Sequence, residues 1–142
     1  MDYKVERFIP HRPPILMVDK MRHCDSDGAI TEKTFRDSDY GVQDGVVLES
    51  ALVECMAQSA AFKEGIDAAT QNRKPDMGML VSVDNFEFLS SVESNSRLDI
   101  YAEKTGQIGS CIIIDGRICE GQKVVARGGL KFFLMDPEEQ KK

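Results

Sequence analysis

The sequence predicts an α+β fold in which a strongly curved antiparallel sheet wraps around one long central helix. Three observations lead there. From about Val47 to Lys63 the chain has no Gly or Pro, is rich in Ala, Leu, Met and Glu, and is apolar on almost every side. From Met79 to Leu134 the apolar period changes from helical to two, the pattern of strands. A helix that is apolar all round needs a surface to enclose it, and one curved sheet provides that. The chain's 142 residues suit one core. The domain is expected over 1–135, with a charged, disordered tail over 136–142.

Taken in order, Phe8 to Asp19 opens with prolines and then runs apolar, an extended lead-in followed by a short strand or a turn of helix. Ala29 to Phe35 alternates and carries β-branched residues, so it reads as a strand. Asp37 to Gly45 is a polar loop, and Gly65 to Gly78 a polar connection after the helix. Strands are then expected over Met79 to Leu89, Arg97 to Lys104, Gln107 to Ile114 and Arg117 to Leu134. Asp115-Gly116 reads as a two-residue hairpin turn. That register sends Cys111 and Cys119 to opposite faces of the sheet and disfavours a disulfide between them. The Gly128-Gly129 pair reads as a bulge or a close backbone contact.

Composition removes several function classes. A net charge of -6 without a Lys/Arg cluster argues against a nucleic-acid partner. Arg73-Lys74 is a weak candidate for meeting an acidic carrier protein, and it reads first as a solvated loop pair. No apolar run approaches the roughly 18 residues of a membrane span, and the first residues lack the basic and apolar regions of a signal peptide. A cytoplasmic protein with no membrane partner is expected. Four cysteines without a C-x-x-C pair and two histidines give no zinc spacing, and no nucleotide-binding glycine motif is present. No metal and no cofactor are expected.

Polar residues interrupt the apolar helix, and three of them share one face. Ser50, Glu54 and Gln58 recur every fourth position and so form one stripe. An unpaired buried carboxylate costs several kcal/mol, so Glu54 needs an explanation. Either Glu54 is an acid–base group oriented by Gln58, or the stripe is a satisfied polar seam at a subunit contact.

Ile9-Pro-His-Arg-Pro-Pro-Ile-Leu-Met-Val-Asp19 resembles the N-terminal signature of the 3-hydroxyacyl-acyl carrier protein dehydratases, which have the hotdog fold. Glu54-Cys-Met-Ala-Gln58 resembles that family's Glu-Ala-x-Ala-Gln helix motif. Val83-Asp84-Asn85-Phe86 falls where the family has a Gly-Ile-Asp-x-x-x-Phe strand. The likeness runs from about residue 8 to 134, with the Asp115-Gly116 hairpin expected in register. It implies that Glu54 is catalytic, with Gln58 and Ser50 supporting it. Substrate contacts are expected from Gly45, Tyr40 and Met56, the last suited to an acyl-chain tunnel. The chain departs from the family in the loop over 36–45, which has no histidine where the family carries its catalytic one in Phe-Pro-Gly-His-Phe-Pro. His11 and His23 are the only histidines, His11 being expected to hydrogen-bond structurally. Asp44-Gly45 lies nine residues before Glu54, where the family has Pro-Gly five before its carboxylate. A subset resembling the aryl-polyene dehydratases shares the missing histidine.

The resemblance implies a (3R)-hydroxyacyl thioester dehydratase acting on acyl carrier protein or CoA thioesters, in fatty-acid or polyene-type biosynthesis. A homodimer or higher oligomer is expected, with a His-bearing hotdog chain as an alternative partner. Two other readings remain open: a hotdog thioesterase using the helix carboxylate, and a non-catalytic acyl-binding or partner subunit.

Overall fold

The structure, a computed structural model, describes residues 3–135; the tail expected over 136–142 lies outside them. After a 3₁₀ turn at Val5–Arg7 come β1 (Lys20–Cys24), β2 (Gly28–Thr34), β3 (Val42–Gln43), β4 (Val46–Val47) and α1 (Glu49–Thr70). They are followed by β5 (Met77–Phe88), β6 (Arg97–Ile108), β7 (Cys111–Glu120) and β8 (Lys123–Met135). Six strands form one antiparallel sheet in the order β1-β2-β6-β7-β8-β5, and α1 packs against β2, β6, β7 and β5. This is the hotdog arrangement that the resemblance implied.

The helix is longer than its composition suggested. It continues past Lys63 to Thr70, so the connection expected from Gly65 begins inside it. Gly65 does not break the helix; it makes room. The Phe8 carbonyl lies so close that no Cβ would fit there. The N-terminal segment can therefore lie on α1, with Val5, Ile9 and Val18 packed around Phe62 and Ile66. On the sheet side Leu52, Cys55 and Met56 join Leu98, Ile100, Ile118 and Leu130 in the main core. The enclosure is incomplete, because Ser50 is exposed and Val53, Glu54, Ala60 and Ala61 are half-buried. Glu54 is therefore not sealed in the core, as its apolar surroundings in the sequence had suggested.

β7 runs unbroken through Asp115–Gly116, so the hairpin expected there does not form. An added Cβ at Gly116 would collide with the Tyr101 carbonyl and lie 2.8 Å from Met56 Sδ. Gly116 lets α1 approach the sheet. The real turns are Gly109–Ser110 and Gly121–Gln122, closed by the pairs Ile108–Cys111 and Glu120–Lys123. Their glycines have φ of 59° and 62°, as a hairpin turn with positive φ at its first position requires. The strands expected over 107–114 and 117–134 each straddled one of these turns. Cys111 and Cys119 thus lie on one strand, and all four cysteines are free.

β1 had no counterpart in the sequence reading. It pairs with β2 through a turn held by Asp25, whose Oδ1 accepts from Asp27 N at 2.9 Å and Gly28 N at 3.0 Å. The loop over 37–45 also contains structure, since β3 and β4 form a two-residue hairpin with positive φ at Asp44 and Gly45. Gly128 is covered by Phe86, the close contact expected at the glycine pair. No helix of the described residues is long and apolar enough to cross a membrane.

Candidate active site

The polar stripe on α1 is organised by Gln58, which is 1% exposed and fully satisfied. Its Oε1 accepts from Met17 N at 2.6 Å, and its Nε2 donates to the Ile15 carbonyl at 2.9 Å. These two bonds fix which end of the amide is which. The remaining N–H of Nε2 then donates to Glu54 Oε1 at 3.0 Å. Among the described residues no protein group bonds the second carboxylate oxygen, Oε2.

Glu54 stands in an open cleft of about 900 Å³. Three segments line it: Pro14, Ile15 and Met17; Ser38 to Gln43; and Leu48, Ser50, Ala51 and Glu54 of the helix start. The helix begins without a side-chain cap, so its first N–H groups lack the usual partner at this end. Leu48 N donates to the Gly41 carbonyl at 2.8 Å, which brings the loop onto the helix start. Gly41 has φ +96°, and a Cβ there would lie 2.8 Å from the Ala51 Cβ. Only glycine suits that contact.

The cleft brings together some of the expected residues and leaves out others. Glu54, Ser50 and Tyr40 line it, Tyr40 being 61% exposed, and Gln58 lies buried behind them. Met56 does not line the cleft. It is fully buried against Gly116, because the next residues along a helix point in other directions. Gly45 is also outside it, in the β3–β4 turn, where its carbonyl accepts from Ser94 N. Neither histidine lines the cleft. His23 lies on β1 with Nε2 3.1 Å from Asp25 Oδ2, beside a second concavity over the sheet's outer face. Cys55 is fully buried, and burial pushes its thiol pKa far up, so it is no nucleophile despite its place beside Glu54. Arg73 forms a two-pronged bond to Glu64 at 2.8 and 2.9 Å, which takes up one of the two charges of the basic pair read from the sequence. Among the described residues no cluster of His, Cys, Asp or Glu is placed to hold a metal ion.

Three residues escaped the sequence reading: Asp39 and Gly41, which line the cleft, and Lys33 beneath it. Lys33 alone left a signal, a lysine on the same strand face as Ala29, Thr31 and Phe35.

A family model described as ApeP-like, ApeP dehydratase, matches residues 3–142. The 3-hydroxyacyl-(acyl-carrier-protein) dehydratase FabZ of Campylobacter fetus subsp. fetus is 24% identical, over 94% of this chain and 96% of that protein. FabZ of Bacillus cereus is 29% identical, over 90% of this chain and 96% of its own length. Among solved structures, the dehydratase heterocomplex ApeI:P from Xenorhabdus doucetiae contains a chain that superposes with a TM-score of 0.86 at 20% identity, covering 96% of this chain and 94% of that one. An uncharacterised protein from Pyrococcus horikoshii superposes at 0.70 with 15% identity, over 96% of this chain and 95% of its own.

Proposed function

Since the chain belongs to the ApeP-like dehydratase family, we propose that it takes part in dehydrating a 3-hydroxyacyl thioester carried by acyl carrier protein or CoA, with Glu54 as an acid–base group. One observation carries this reading. An amide fixed by two other bonds presents its N–H to Glu54 Oε1 at 3.0 Å, leaving Oε2 free at an open cleft. A carboxylate held in this way can take a proton from Cα or give one to the departing hydroxyl without reorienting. Loss of the α proton and of the β C–O bond converts the 3-hydroxyacyl thioester into a 2-enoyl thioester and water. The uncapped first turn of α1 lines the same cleft, and its N–H groups suit the charge that develops on the thioester oxygen.

The reaction needs a second acid–base group. Tyr40 offers one hydroxyl at the cleft. The lack of a histidine in the cleft lining favours a heteromer in which a His-bearing hotdog subunit completes the site. The similar chain from Xenorhabdus doucetiae belongs to a dehydratase heterocomplex, which supports that reading. The half-buried stripe of α1 and the exposed apolar residues of β5 (Met77, Met79, Leu80, Val81 and Val83) suit burial by such a subunit or a second copy. By itself the chain would then turn over roughly 10²–10⁴-fold more slowly, the usual contribution of one acid–base group. The thioesterase alternative draws on the fold alone. A cytoplasmic location and a fatty-acid or polyene-type product fit this reading.

The test is to incubate the chain with 3-hydroxyacyl thioesters of acyl carrier protein and CoA, alone and with a His-bearing hotdog subunit, and to follow the enoyl product by mass spectrometry. Glu54→Gln should lower turnover by about 10²–10⁴-fold with folding intact. Undiminished turnover in that variant would sink the assignment. Free thiol without enoyl product would replace the dehydratase with a thioesterase.

A further inference from the structure

We propose that Lys33 is a positioning residue that holds two walls of the cleft at a fixed separation. The cleft has three lining segments, and polar bonds already join two of their three pairs. Gln58 ties the helix to the N-terminal segment, and the bond from Leu48 N to the Gly41 carbonyl ties the helix to the loop. Lys33 closes the third side. Its ammonium lies 3.3 Å from Asp19 Oδ1, at the end of the N-terminal segment, and 3.8 Å from Asp39 Oδ2, within the loop.

Each carboxylate is itself anchored. Asp19 Oδ2 accepts from Thr34 N and Asp39 Oδ2 from Arg36 N, both at 2.8 Å. Both anchors lie on or just beyond β2, so the ammonium and its two partners share one rigid support. The lysine side chain is 9% exposed, points to the helix side of β2, and sits 5.0 Å from the centre of the Phe35 ring. Phe35 in turn lies 3.7 Å from the position a Gly41 Cβ would take, so the ring beside Lys33 also backs the glycine contact. A desolvated ammonium costs stability, and its retention under two walls of a cleft fits a role in geometry better than one in packing. Its partners, at 48% and 35% exposure, keep contact with water. The pair bonds are accordingly modest in strength, and their value lies in the distance they fix.

Only the turnover arm below rests on the dehydratase reading. Lys33→Met keeps the side chain's length without its charge, and Lys33→Arg keeps the charge. Amide hydrogen exchange is read over 14–19, over 36–42 and over β6 and β7, together with steady-state turnover in the assembled enzyme. In Lys33→Met, exchange over both walls should rise roughly three- to tenfold while β6 and β7 stay unchanged. kcat should fall with KM within about twofold, and Lys33→Arg should restore both readouts. Asp39→Asn should loosen 36–42 alone. Unchanged wall exchange in Lys33→Met overturns the proposal, as does an equal loss of protection in β6 and β7. If the wild-type protein yields no enoyl product, the dehydratase reading fails and the exchange arm still decides the role of Lys33.

Discussion

Two polar pairs are built on neighbouring residues of α1, Gln58 and Ser59, and they are finished differently. Ser59 and Thr31 are both fully buried, with their hydroxyls 2.6 Å apart and Ser59 Oγ donating to the Cys55 carbonyl at 2.7 Å. That pair is closed: each group has a partner and no solvent reaches it. Gln58 and Glu54 start the same way, with Gln58 sealed and satisfied, but the chain of bonds ends in a half-buried carboxylate with an unused oxygen at a cleft. A closed polar pair specifies packing. An open one keeps bonding capacity for something that is not protein.

The contrast can be broken by substitution. The largest stability effect is expected at Gln58, where leucine strands the Met17 amide and the Ile15 carbonyl. A loss of roughly 2–4 kcal/mol in denaturant unfolding should follow, with turnover falling as Glu54 loses its orienting bond. Ser59→Ala leaves the Thr31 hydroxyl sealed without a partner. It should cost about 1–3 kcal/mol, with turnover per folded molecule unchanged; a loss of turnover would mean that the closed pair also serves the site. Glu54→Gln, which keeps an acceptor for the Gln58 N–H, should behave in the opposite sense, leaving the melting temperature unchanged or raising stability by up to about 1 kcal/mol while activity is lost, as at sites kept for function. A clear fall in stability would make Glu54 a structural residue.

The smallest effect should come from Asp25, far from both pairs. The Gly28 and Asp27 amides, with His23 beside them, hold its carboxyl pKa at about 2, below its ordinary value of 3.8. Its folded pKa is depressed, so the turn contributes stability above about pH 4 that is lost as pH falls towards about 2. In Asp25→Asn that part of the acid dependence should vanish, as read from unfolding midpoints between pH 5 and 2.

The helix, the meander and the Glu54–Gln58 spacing were legible because each is written as a local period. The turns were misread because Asp-Gly is a strong hairpin signal, yet at Asp115-Gly116 the glycine answers a contact with Met56, sixty residues earlier. Gly109-Ser110 and Gly121-Gln122 were weaker signals by composition, and they are the turns. Gly65 ended the predicted helix for a similar reason, since its role is set by Phe8. Within the site, Tyr40, Ser50 and Glu54 were legible, whereas Met56 turns to the sheet against Gly116, a contact that no local spacing marks. Lys33, Asp19 and Asp39 meet only through tertiary pairing, and no spacing announces that.

The position of β5 has a consequence for synthesis. Within the described sheet its one neighbour is β8, which leaves the ribosome after β6 and β7, while β1, β2 and β6 can pair earlier. From Met77 onwards a row of apolar side chains waits through the emergence of three more strands before it gains its first partner. During that interval both of its edges are open. A nascent subunit with a matching strand could reach the outer edge as soon as the inner one is filled, so assembly and the completion of folding would be close to one event.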